Sequence, residues 1–147
     1  MSLFDRASGS QSRVQNALIQ AEAFAAIALI AIASDGNLSK KQARDIYKAL
    51  SNLKPLNSQS EDDMQSMFEV LSGIVRHEGV NNLFDAAKDS LSEDLRETAF
   101  AVAADLVLAD GILAEEQDFL VELYQALRIQ RETGEKIIEV MFIKNRG

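Results

Sequence analysis

Cysteine and tryptophan are absent from this sequence, and proline and histidine each occur once, as Pro55 and His77. Without cysteine there are neither disulfides nor thiolate metal sites, so the fold rests on its apolar core. One histidine and no cysteine leave no Cys-His pair and no convincing Ser-His-Asp set. His77, flanked by Arg76 and Glu78 near a helix end, reads as a surface or capping residue. No glycine-rich phosphate loop is present. The chain therefore reads as non-enzymatic.

Basic charge is also scarce. Fifteen Lys and Arg stand against 23 Asp and Glu, a net charge of −8. Binding to nucleic acid depends on clustered Lys and Arg that neutralise phosphates. No such cluster occurs, which argues against nucleic acid and anionic membranes and favours basic protein partners and cations. The longest apolar run, residues 23–33, is closed off by Glu22 and Asp35. It falls short of the roughly 20 residues that a membrane-spanning helix needs. The opening residues 1–12 are polar and contain Gly and Ser, unlike a secretory signal, so a cytoplasmic location is expected.

What is present is helix-forming. The chain has 147 residues, 47% of them hydrophobic, enough for one domain with its own core. After a flexible arm over 1–12, the pattern predicts an all-α, single-domain bundle of about seven helices in residues 13–147. The expected helices cover about 14–34, 39–53, 60–77, 81–90, 92–109, 114–127 and 131–143. Ser39 with Gln42 forms a capping-box pattern, Ser60 precedes three acids, and Gly79 stops the third helix.

The chain also repeats itself. A shift of 75 positions carries Asp35-Gly36 onto Asp110-Gly111, Leu38 onto Leu113, Gln42 onto Gln117 and Glu22 onto Glu97. The repeated halves span about 14–53 and 92–127, each a helix–Asp-Gly–helix hairpin with one very apolar helix. Packing of the two apolar helices against each other is the expected core, with Leu38 and Leu113 as plugs.

Two readings of the Asp-Gly turns stand side by side. Gly supplies the positive φ that ends a helix, and Asp can bond its own backbone two residues on. Against that, a carboxylate at a helix C-terminus faces the negative end of the dipole. Its occurrence in both halves suggests a compensating partner, and a hard divalent cation (Ca²⁺, Mn²⁺ or Mg²⁺) suits oxygen ligands. Asp105, inside the second apolar helix, either joins Asp110 in such a site or bonds a Lys, Arg or backbone group. The spacing of acids does not fit an EF-hand.

At these residues the chain resembles the TerB-like tellurite-resistance family. Met1 to Arg6 is similar to that family's N-terminal arm. Ala31-Ile32-Ala33-Ser34-Asp35-Gly36 resembles its first Ala-rich helix and turn, and Leu108-Ala109-Asp110-Gly111, with Glu115 and Glu116, its second. The resemblance implies a helical bundle acting with partner proteins in bacterial stress or metal-response systems. It makes Asp35 and Asp110 candidate cation ligands, with Glu116 as helper. The acids that follow the first turn in the family are replaced here by Lys40, Lys41 and Gln42, and Gln117 stands where Glu is usual. Two lysines repel a cation, so the second turn is the better site.

A purely structural interaction domain, with both turns as hairpin caps, is one alternative. Another starts from Asp89-Ser90-Leu91, which resembles the modification site of acyl carrier proteins and would place a prosthetic group on Ser90.

Overall fold

The computed structural model describes residues 18–109 and 114–146. Among them the chain is all-helical: α1 (Gln20–Ile32), α2 (Lys40–Leu50), a 3-10 turn (Lys54–Leu56), α3 (Glu61–Glu78), α4 (Val80–Asp89), α5 (Glu93–Ala109), α6 (Ala114–Ala126) and α7 (Arg131–Arg146). No described helix is long and apolar enough to cross a membrane. The helices form two compact units that divide between Leu91 and Ser92. The first repeated half lies in one unit and the second in the other. The expected arm over 1–12 lies outside the described residues.

The first unit is organised around α1, which packs against α2, α3, α4 and the 3-10 turn. Every residue from Ala21 to Ile30 is buried, so α1 has no polar face to offer solvent. The many alanines of this helix let neighbouring backbones come close, and its large side chains, Phe24, Ile27 and Leu29, fill the spaces between. The helix begins after Ile19, whose ψ of 160° is extended. There the backbone N–H of Ile19 donates to Oε1 of the buried Glu22 at 3.3 Å. Residues 14–17, where the sequence pattern places the start of this helix, lie outside the described residues, and Leu18 and Ile19 are not helical.

The surrounding helices are amphipathic. Helix α2 buries Ala43, Ile46 and Leu50, and α3 buries Met64, Phe68, Leu71 and Val75, at the three-and-four spacing of one helix face. Burying a Leu, Ile or Phe side chain is worth roughly 1.5–3 kcal/mol, so these stripes fix the helices on α1. Helix α2 ends at Leu50, three residues earlier than expected. The chain then enters the 3-10 turn, where Pro55 lacks a donor for a longer helix and Leu56 is fully buried. Gly79, at φ +94°, ends α3 and immediately precedes α4, which leaves no room for a linker. Ser90 closes the unit: its Oγ accepts from the N–H of Leu18 at 2.9 Å and donates to the carbonyl of Ala86 at 2.7 Å.

In the second unit α5 packs against α6 and α7. Phe100 meets Tyr124 edge to face, with ring centroids 5.8 Å apart. Gly134 lies against the Tyr124 ring so closely that a Cβ there would stand 2.5 Å from Cγ. Helix α7 runs to Arg146, beyond the expected end at 143, because Asn145 and Lys144 of its last turn bond α5 through Asp105.

Candidate functional site

The first Asp-Gly turn is self-contained. After Ala33 leaves the helix, Gly36 takes φ +83° and donates its N–H to the Ala33 carbonyl at 2.9 Å. Asp35 Oδ1 accepts from the backbone N–H of Asn37 at 2.9 Å, and Oδ2 accepts from the Asn37 side-chain amide at 3.2 Å. These bonds, the backbone one first, hold the Asp35 carboxyl below its ordinary pKa. The partner that offsets the helix dipole here is thus Asn37, two residues along the chain.

Helix α2 then opens on a complete capping box. Ser39 Oγ accepts from the Gln42 N–H at 3.0 Å, and Gln42 Oε1 accepts from the Ser39 N–H at 2.9 Å. Its first turn holds no acid and begins with Lys40 and Lys41; Lys41 pairs with Asp45 at 2.9 Å. Helix α3 binds this turn from the other side, where Arg76 Nη1 donates to the Gly36 carbonyl at 2.6 Å. A Cβ on Gly36 would stand 2.8 Å from Arg76 Cγ and 2.9 Å from the Ser72 carbonyl oxygen. Only glycine fits this approach.

Between the turn, the start of α2 and α3 lies a cavity of about 520 Å³. Leu38, Ala43 and Phe68 supply its apolar wall, and Lys40, Glu69 and Arg76 its charges. Leu38, the expected plug, is half-buried on this wall. Ser72 also lines the cavity. It is 4% exposed, and its hydroxyl has no hydrogen-bond partner among the described residues.

At the second turn, Asp110 to Leu113 lie outside the described residues. Helix α6 begins with Glu115 and Glu116, two acids at the positive end of its dipole. Glu116 is half-buried, and its Oε2 is buried with no partner among the described residues. Glu116 is the third residue of its helix, the place that Glu22 holds in α1 and Gln42 in α2. Asp105 is engaged elsewhere: its Oδ1 accepts from Lys144 Nζ at 3.1 Å and from Asn145 Nδ2 at 2.8 Å. Among the described residues no three carboxylate or imidazole side chains gather into a metal-sized cluster.

Of the residues singled out from sequence, Asp35 and Asp105 each have hydrogen-bonded partners, and Glu116 has one oxygen without a described partner. His77 is exposed in the last turn of α3. The Ser90 hydroxyl is used in both directions within the first unit, which leaves it poorly placed to carry a prosthetic group. Sequence reasoning missed Arg76 and Ser72. Their role depends on how α3 is registered against a turn about forty residues away, and no local pattern encodes that.

No family model, curated protein or solved structure matches the chain.

Proposed function

We propose that this chain is a non-enzymatic, TerB-like binding module of stress and tellurite-resistance systems, holding a divalent cation at its second Asp-Gly turn. The observation that carries the cation reading is the Oε2 of Glu116, a buried carboxylate oxygen with no partner among the described residues. A buried anionic oxygen left without a donor is unfavourable. A cation beside it would remove that penalty. Asp110 stands six positions before Glu116, and two carboxylates with backbone carbonyls make a hard oxygen donor set suited to Ca²⁺, Mn²⁺ or Mg²⁺. The bound ion would neutralise these acids and hold the α5–α6 connection ready for a protein partner.

The first turn supports a structural reading instead. Its carboxylate is already bonded by Asn37, and Lys40 follows nearby.

Calorimetric titration of the chelator-treated protein with Ca²⁺, Mn²⁺ and Mg²⁺ tests the proposal. Saturable binding is expected, lost in Asp110→Asn and in Glu116→Gln but kept in Asp35→Asn. Absence of heat from all three ions, with the protein folded, would leave both turns as hairpin caps of a structural interaction domain.

A further inference from the structure

Helix α7 differs from the other helices in what it buries. Among the described residues, each helix from α1 to α6 buries at least one large apolar side chain, whereas α7 buries only Gly134. Yet six of the seven residues from Ile137 to Ile143 are apolar. Val140 and Ile143 are 56% and 50% exposed, and they stand one turn apart on the helix. A strip of this kind on a charged surface marks an interaction site.

Beside the strip, between α6 and α7, lies a groove of about 310 Å³. Val121, Ile138 and Phe142 are its apolar lining, and Gln117, Glu135 and Glu139 its polar lining. Glu135 is paired with Arg131 at 3.1 Å. Glu139 is exposed and makes no ion pair among the described residues. The groove therefore suits an apolar side chain with a cation close behind it.

The end of α7 itself has that chemistry. Exposed Ile143 is followed by Arg146, which is also exposed and without an ion pair among the described residues. Lys144 is already held by Asp105 at 3.1 Å. Groove and ridge share one helix, so neither can fill the other within a chain, but a second copy can fill both. The register is consistent with this. Glu139 and Arg146 are seven residues apart, which puts them roughly 10 Å apart along the axis and about 20° apart around it. Their midpoint falls between Phe142 and Ile143. A two-fold axis at that point sets acid against base at both ends and apolar against apolar in the middle.

We propose that two copies of this chain pair through α7, antiparallel about that axis. Ile143 of each copy enters the groove of the other, and Arg146 of each faces Glu139 of the other. The net charge of −8 opposes indiscriminate association, so the attraction has to come from this face. A contact made by one helix face is small, and a weak dimer with a dissociation constant of about 10–100 µM is expected.

The test is sedimentation equilibrium of the full chain from about 5 to about 500 µM, a range that brackets this constant. Chelator is present, so the result is independent of any cation at the second turn. The parent protein should pass from monomer to dimer. Ile143→Glu changes an exposed side chain, should keep the helical circular dichroism of the parent and should stay monomeric throughout. Glu139→Arg and Arg146→Glu each set like charges together at both ends of the pair and should each weaken association by about tenfold or more. An equimolar mixture of these two variants restores both opposite-charge pairs in the mixed dimer, so it should associate about as well as the parent. The proposal is overturned if the parent stays monomeric, if Ile143→Glu associates like the parent, if neither charge reversal weakens the dimer, or if the mixture fails to recover it.

Discussion

The two Asp-Gly turns are alike in sequence and differ in the residue that follows. At the first, Asn37 supplies both a backbone and a side-chain donor to Asp35. The position equivalent to Asn37 in the second turn is Ile112, which has no side-chain donor. The helix beyond the first turn opens on Lys40 and Lys41, and the helix beyond the second opens on Glu115 and Glu116. One repeated unit has thus been given opposite charge at the same place. A carboxylate satisfied by its own neighbour needs no ion. On the reading proposed above, Asp110, followed by Ile112 and then by Glu115 and Glu116, is the carboxylate that would take a cation. On that reading the residues that follow each glycine, and not the Asp-Gly pair itself, decide what the turn would hold.

The sharpest way to break the comparison is to attack the glycine of the first turn. Gly36→Ala forces a Cβ onto a backbone at φ +83° and within 2.9 Å of both Arg76 Cγ and the Ser72 carbonyl. Left-handed strain costs about 1–2 kcal/mol and overpacking about 1–3 kcal/mol, so a loss of about 2–5 kcal/mol is expected in denaturant unfolding. Gly73, in α3, has nothing within 4 Å of its added Cβ. Gly73→Ala should therefore stabilise by about 0.5–1 kcal/mol through helix propensity. Equal responses at the two glycines would refute the close docking of the turn on α3.

How much of this could be read from the chain follows the range of each interaction. The Ser39–Gln42 capping box and the helix start at Ser60 were legible because each signal lies within one helical turn. Gly79 was legible because a helix-ending glycine is a local signal. The Asp35 bond to the Asn37 backbone was legible as an Asx-turn, but the second bond depends on the Asn37 rotamer, which no sequence pattern sets. Arg76 on the Gly36 carbonyl could not be read, because it requires the register of α3 against α1 and α2. Ser72 could not be read either. On an amphipathic helix a small polar residue among apolar ones looks like an ordinary packing choice, and only the three-dimensional wall reveals that its hydroxyl has no partner.

An intermediate effect comes from exchanging the residues that distinguish the turns. Ile112→Asn gives the second turn the donor that Asn37 supplies at the first. If the proposed cation binds through Asp110, the new amide competes for that carboxylate. Affinity in the calorimetric titration should fall by about tenfold, or about 1.4 kcal/mol. The reverse change, Asn37→Ile, removes the side-chain bond to Asp35 Oδ2 but keeps the backbone bond to Oδ1 and leaves Lys40 nearby, so no new cation site is expected at the first turn. Cation binding in Asn37→Ile would show that the charge of α2 is not what separates the turns.

The smallest effect is a matter of pH, and its sign follows from Asn37. The bonds from Asn37 stabilise the ionised form of Asp35, so its carboxyl titrates below the ordinary value of 3.8 in the folded state. A group whose pKa is depressed on folding adds stability above its unfolded pKa, and that stability disappears as pH falls through the folded value. Asp35→Asn should therefore lower the melting temperature at neutral pH. The difference from the parent protein should shrink as the pH is taken below 3.8. Because Asp35 is exposed, salt and solvent screen part of the effect, and the shift will be small. In Asn37→Ala part of this acid-dependent component should vanish, since the side-chain donor is removed while the backbone N–H, the larger cause, remains. Absence of any acid-dependent component in the parent protein would mean that Asn37 does not hold this carboxylate. The first turn would then lose its claim to be self-contained, and the contrast between the turns would rest on Lys40 and Lys41 against Glu115 and Glu116.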